Sequence, residues 1–476
     1  MTYLDLVEES KEEMIGTLAE IIRMKSVLDD PVQSPDGDVY PFGKGVHNVY
    51  KRTLEIGEHF GFDTTNIDNY GGHIEFTGED AKETFAILGH LDVVPEGDNW
   101  EHDPYGGEIV DNWMYGRGTT DDKGPVIACL YAMKAIKEAG IVPKKNIRLI
   151  LGLDEETGWK GMDYYLSKAK APDFGITPDG DFPAINGEKG IVYFSLARKL
   201  SENKSGEGLE LTSIKAGNAP NMVPDYARAV VKCEDRGTYE SIKELGSLFR
   251  KENEYKINFK GIGKSLEITT HGVSAHGAHP ELGLNAISIM MEFLGKLNFA
   301  FEETNDFISF YNKKIGYEID GQSLGIKLYD EVSGPLTVNV GMMEMNSEAV
   351  QIVVNARYPV SFTDDDIYAG LNTLLEKEKI GLIKEKSQEP IYKDPDDPMI
   401  KTLMEVYQHH TGDMDSKPLV IGGGTYARAT KNIVAFGGAF PGDEDRMHQK
   451  NERINLDKLV LMTKIYADAI YKLTCI

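Results

Sequence analysis

Cysteine is scarce in this chain, with three among 476 residues: Cys129, Cys233 and Cys475. They lie far apart and form no C-x-x-C pair, so neither a disulfide framework nor a thiolate metal site is expected, and a reducing cytoplasm fits best. Basic residues are short as well: 51 Lys and Arg face 77 Asp and Glu, a net charge of −26. Binding a polyphosphate needs clustered Lys and Arg, so a nucleic-acid partner is not expected, and anionic membrane surfaces are disfavoured. No apolar run approaches the ~18–20 residues of a membrane span. The start, Met1–Glu9, is acidic and lacks the basic and apolar regions of a secretory leader. What is present is ordinary for a globular protein, 41% hydrophobic and 27% charged. At 476 residues the chain exceeds one hydrophobic core, so two or three domains are expected.

The hydrophobic pattern divides the chain. A first helix is expected from Leu4 to Met24, with Leu18, Ile21 and Ile22 inward. Phe85–Leu88, Ile147–Leu153 and Phe174–Thr177 read as strands, with a helix over Gly124–Ala139 stopped by Gly140. Continuous apolar runs, rather than alternation, indicate a sheet covered on both faces by helices. From Gly190 the texture becomes α+β. Strands are expected over Val192–Leu200, Leu209–Ala216, Ala227–Glu234, Leu266–His271, Leu336–Glu344 and Ala349–Tyr358, with helices over Tyr239–Asn253, Asn285–Leu297 and Asp366–Lys379. The α/β texture returns in a helix over Pro398–His410, a strand over Ile433–Phe436 and a helix over Asn455–Leu473. An α/β domain of residues 1–188 and 386–476 is therefore expected to be split by an inserted α+β domain of two similar halves, residues 189–385.

Five clusters carry metal-ligand residue types. His90 and Asp92 end the strand after Leu88, and period-2 alternation points both side chains the same way. The imidazole can then take a metal while the carboxylate receives its other N–H. Gly116–Gly124 (GRGTTDDKG) brings Asp121 and Asp122 to a helix N-terminus; Asp154, Glu155 and Glu156 follow the second strand, and Asp179 the third. His448 closes a charged loop after the return strand. Taken singly, Asp179 is turn chemistry, the glutamates a solvated loop and His448 a surface histidine. Together they end strands of one α/β sheet, where ligands bind beyond the carboxyl ends, and a metal site follows. Nitrogen and carboxylate donors suit zinc, manganese or cobalt.

The motifs His90-Leu91-Asp92-Val93-Val94-Pro95, Gly116-Arg117-Gly118 through Asp121 to Lys123-Gly124, Glu155-Glu156, Pro178-Asp179-Gly180 and His448 resemble the co-catalytic zinc peptidase family of aminoacylases, desuccinylases, glutamate carboxypeptidases and carnosinases. Thr177–Pro183 and the long insert are most similar to its Xaa-His dipeptidase branch. The resemblance implies two divalent metal ions, zinc foremost, with His90 and Asp179 on one, Glu156 and His448 on the other, Asp121 bridging and Asp92 behind His90. It also implies a cis peptide after Asp121. Two divalent ions sharing a hydroxide bring the pKa of water from about 15.7 to about 7. Glu155 then has the role of general base, worth ~10²–10⁴ in rate.

In the insert, the family pattern singles out His276 as the stabiliser of the tetrahedral oxyanion. The alternative for His271, His276 and His279 is a separate metal cluster. Arg357 looks like the clamp on the substrate carboxylate, and Asn221 like a further substrate contact. The glycine loop Gly422–Gly424 lacks the pattern of a phosphate loop; in the resemblance its backbone, Gly424 included, approaches the bound peptide. The implied activity is hydrolysis of dipeptides with a free N-terminus, with the substrate under a lid that supplies His276 and Arg357. Deacylation of N-acyl amino acids or carboxypeptidase action is the alternative. The size of the insert points to a monomer.

Overall fold

The computed structural model describes residues 1–201, 207–233 and 235–476. The chain forms two compact units. One comprises Met1–Asn186, Lys393–Leu419 and Gly424–Ile476; the other comprises Gly187–Tyr392 and Val420–Gly423.

In the first unit the strands lie in the order Asp63–Ile67, Gly71–Phe76, Asn146–Gly152, Thr84–His90, Phe174–Thr177 and Ile433–Ala435, and Ile185 pairs beyond the last through Ala435. The four strands from Asn146–Gly152 to Ile433–Ala435 run parallel, and the flanking pairings are antiparallel. Thr84–His90 is buried along its whole length, as its unbroken apolar run predicts. Gly89 lies under the helix Lys123–Glu138: a Cβ there would meet the Val126 side chain at 2.4 Å, so only glycine lets helix and strand approach this closely. That helix and Leu456–Thr474 cover one face with Lys44–His59, while Lys160–Lys168 packs Tyr165 under His73 on the other. Gly140, at φ 74°, ends the first of these helices as expected.

The N-terminal helix is not continuous. Tyr3–Glu9 and Lys11–Ile22 meet at Ser10, whose φ of −81° and ψ of 0° end one helix and cap the next, and whose hydroxyl donates to the Leu6 carbonyl at 2.7 Å. Leu18, Ile21 and Ile22 are buried on the second helix.

The second unit is an antiparallel sheet in the order Lys256–Ile262, Ser265–His271, Tyr226–Lys232, Glu210–Ala216, Thr337–Met345, Ala349–Tyr358, Gly190–Lys199 and Gly381–Gln388. Alternate residues such as Leu266, Ile268 and Thr270 are buried, the signature of one face packed and one open. Helices Arg236–Asn253, Ala286–Leu294, Glu302–Lys314 and Asp364–Glu378 complete the unit. The strand expected over Ala227–Glu234 ends at Lys232, and Glu234 lies outside the described residues.

Candidate metal centre

Because four strands run parallel, their carboxyl ends fall along one edge of the sheet, and the loops leaving that edge carry the acidic and imidazole groups. His90 is the last residue of its strand and fully buried. Its Nδ1 lies 2.9 Å from the Asp92 main-chain oxygen and 3.4 Å from the Asp92 carboxylate. The expected carboxylate contact is thus the longer of the two. The Asp92 carboxylate accepts instead from the backbone N–H groups of Glu155, at 3.1 Å, and Glu156, at 3.2 Å. It thereby ties the loop after His90 to the loop that carries Glu155 and Glu156.

His90 Nε2 is 3.0 Å from one Asp121 oxygen, and His448 Nε2 is 2.9 Å from the other. His448 Nε2 also meets Glu156 Oε1 at 3.0 Å. The ligand-type atoms of His90, Asp121 and Asp179 lie within 4.8 Å of one another, as do those of Asp121, Glu156 and His448. Asp121 belongs to both groups. The Asp121–Asp122 peptide is cis, as the resemblance implied.

Electrostatics test whether cations fit. Burial, with the charge of Asp121 beside it, pushes the Asp179 carboxyl up to about 7. Burial and the neighbouring acids raise Glu155 and Glu156 as well. Burial alone would raise Asp121, but the imidazoles of His448 and His90 hold it low. Burial opposes the charged form of His448, yet Asp121 and Glu156 lift it to about 11. Among the described residues, neither Asp121, Glu156 nor Asp179 pairs with Lys or Arg. Clustered buried carboxylates that face imidazoles and no Lys or Arg match a site for divalent cations, which would take the place of the protons such a cluster otherwise holds.

Asp154 has a different task. Its carboxylate accepts from Gly161 N at 3.0 Å and is pushed up to about 6 by burial, while its carbonyl accepts from Gly158 and Trp159. It closes the loop that aims Glu155 and Glu156. The Trp159 indole N–H donates to the Glu155 carboxylate at 3.2 Å and to its carbonyl at 3.0 Å. Arg117 and Glu452, both buried, form an ion pair of 2.7 Å beneath Asp121. Sequence spacing did not single out Trp159, Arg117 or Glu452. The one available signal was Glu452 falling four residues after His448 in a charged stretch.

In the second unit, His276 is exposed, with its Nδ1 3.4 Å from the Ala278 N–H. The adjoining Gly277 N–H donates to the Asn221 carbonyl at 2.6 Å. Arg357 is buried; its Nε donates to Asn355 Oδ1 and its Nη1 to the Gly422 carbonyl, each at 3.0 Å. Gly424, in the first unit, is exposed in the loop after Leu419–Ile421.

Comparison with known proteins supplies the family. Residues 86–472 match peptidase family M20/M25/M40. The chain is 37% identical over 470 residues to a Staphylococcus epidermidis protein named "Putative dipeptidase", covering 98% of each. It is 36% identical over 469 residues to "Putative dipeptidase YtjP" of Bacillus subtilis, again covering 98% of each. Among solved structures, human carnosine dipeptidase 1 shares the fold with a TM-score of 0.58 at 17% identity, over 99% of this chain and 98% of that one. Aminoacylhistidine dipeptidase from Vibrio alginolyticus does so at 0.56 and 14%, over 96% of each. The chain belongs to peptidase family M20/M25/M40.

Proposed function

We propose that this member of peptidase family M20/M25/M40 is a metal-dependent dipeptidase acting on dipeptides with a free N-terminus. The observation that carries the reading is the pair of three-donor groups sharing Asp121 at the carboxyl edge of the parallel sheet. The relatives' names support the substrate class. His90 and Asp179 would hold one ion, Glu156 and His448 the other, and Asp121 would offer one oxygen to each. Such ions, when bound, polarise a carbonyl and make water a nucleophile near neutral pH; zinc, manganese and cobalt all suit the donors.

The chain's own groups do the rest. Asp92 fixes the His90 ring from behind and holds the backbone of both glutamates. Glu155 takes the proton of the attacking water and passes it to the departing amine. Trp159 aims it. His276 is assigned to the developing oxyanion and Arg357 to the substrate carboxylate, for which its planar guanidinium, held by Asn355 and Gly422, is suited. Asn221 and the backbone at Gly424 are assigned to substrate contact. The reading includes a monomer in the cytoplasm that binds neither nucleic acid nor membrane. Among the described residues no helix is long and apolar enough to cross one.

The test is metal removal and add-back, read on Ala-His, β-Ala-His and N-acetylated amino acids. Hydrolysis of the free dipeptides is expected to vanish with chelation and return with zinc, manganese or cobalt. Preference for the N-acetylated compounds would overturn the dipeptidase reading and favour a deacylase.

A further inference from the structure

Glu452 has no exposed surface, and its carboxylate is wrapped by the loop that delivers Asp121. One oxygen accepts from the backbone N–H groups of Gly118 at 3.0 Å, Thr120 at 2.9 Å and Asp121 at 3.3 Å, and from the Thr120 hydroxyl at 3.0 Å. The other accepts from Arg117 Nη1 at 2.7 Å. The Glu452 carbonyl receives the Gly116 N–H at 2.9 Å. Arg117, itself 1% exposed, extends Nη2 towards the carbonyls of Pro95 and Glu96 at 3.5 and 3.4 Å. Those carbonyls lie on the loop leaving His90. Three ligand-bearing segments therefore meet on one buried ion pair: the loop after His90, the loop before Asp121 and the stretch after His448.

We propose that Glu452, with Arg117, is a positioning residue that sets the separation of the metal ligands His90, Asp121 and His448 before any cation binds. The proposal rests on the two-cation reading of the site. A carboxylate is needed because both of its oxygens accept: a glutamine offers one acceptor, so its NH2 would face either Arg117 or the loop N–H groups. Removing one partner of a buried pair also strands the other charge.

The experiment measures metal affinity by equilibrium dialysis of chelated protein against zinc and manganese, beside thermal melting without metal. Glu452→Gln is expected to weaken affinity about 10- to 100-fold, the range for groups that orient metal ligands. Thr120→Val, which removes one hydroxyl donor and leaves the ion pair, is expected to weaken it less. Glu75→Gln is the control, because it breaks the half-buried Glu75–Arg148 pair elsewhere in the same sheet. It is expected to lower the melting temperature with unchanged metal affinity. Wild-type affinity in folded Glu452→Gln, or equal loss in Glu75→Gln, would overturn the positioning role. Absence of metal binding by the wild type would overturn the two-cation reading instead.

Discussion

The two halves of the donor set are built in different ways. His90 ends a strand, is fully buried and is backed by Asp92, so the ladder of the sheet places it. His448 stands on a loop at φ 61°, with its side chain 53% exposed. A ligand at a strand end inherits its position from main-chain hydrogen bonds. A ligand on a loop must be held through the segment that follows it, and that work falls to the residues around Glu452: the Asn451 side chain accepts from Glu101 N at 2.8 Å, and the short strand Arg453–Asn455 pairs with Trp113–Tyr115.

The largest effect should come from a residue that belongs to neither half. Glu155→Ala removes the proton carrier while leaving every ligand, so hydrolysis should fall ~10²–10⁴-fold with metal content intact. Full activity with confirmed metal would remove Glu155 from the mechanism. The contrast between the halves is tested next by dialysis. His90→Ala should weaken metal binding beyond the ~100-fold ceiling of groups that only orient ligands, and His448→Ala should leave the ion of the buried half in place and weaken the other less than His90→Ala does. Equal losses in the two variants would break the contrast.

A third histidine sharpens it. His73 is buried on Gly71–Phe76, two strands from His90 in the same sheet, where burial and then the Arg148 charge lower it from 6.5 to about 4, the opposite of His90 among its carboxylates. With the folded value below the unfolded one, its contribution is complete above pH 6.5 and is lost as pH falls towards 4. Urea unfolding of the wild type should lose about 2 kcal/mol more between pH 7 and 5 than His73→Asn does. Parallel loss in both proteins would contradict the assignment. The smallest effect expected is that of Trp159→Phe, which removes the indole N–H shared by the Glu155 carboxylate and carbonyl: kcat should drop about tenfold with KM and metal content unchanged. A change in KM alone would place the indole against the substrate.

The same contrast explains what was legible in the sequence. Thr84–His90, Asn146–Gly152 and Phe174–Thr177 carry continuous apolar runs, and the ligands follow them directly, so strand and site were readable together. Lys256–Ile262 and Gly381–Gln388 were not anticipated. They are the two edges of the antiparallel sheet, largely exposed, with charged residues such as Lys384, Glu385 and Lys386 in place of alternation. Glu302–Lys314 was missed because its Thr, Asn, Ser and aromatic residues are weak helix formers, and packing of Phe307, Phe310 and Tyr311 stabilises it. The break at Ser10 carries neither glycine nor proline to announce it. Glu452, Arg117 and Trp159 act through contacts that exist only after folding: Arg117 lies within the Gly116-Arg117-Gly118 motif and Glu452 four residues after His448, but nothing local marks the two as partners.

The central claim is that two cations share Asp121. Anomalous scattering from crystals grown with zinc or manganese tests it most directly. Two peaks are expected, one among His90, Asp121 and Asp179, the other among Asp121, Glu156 and His448. A single peak, or peaks away from Asp121, would contradict the account.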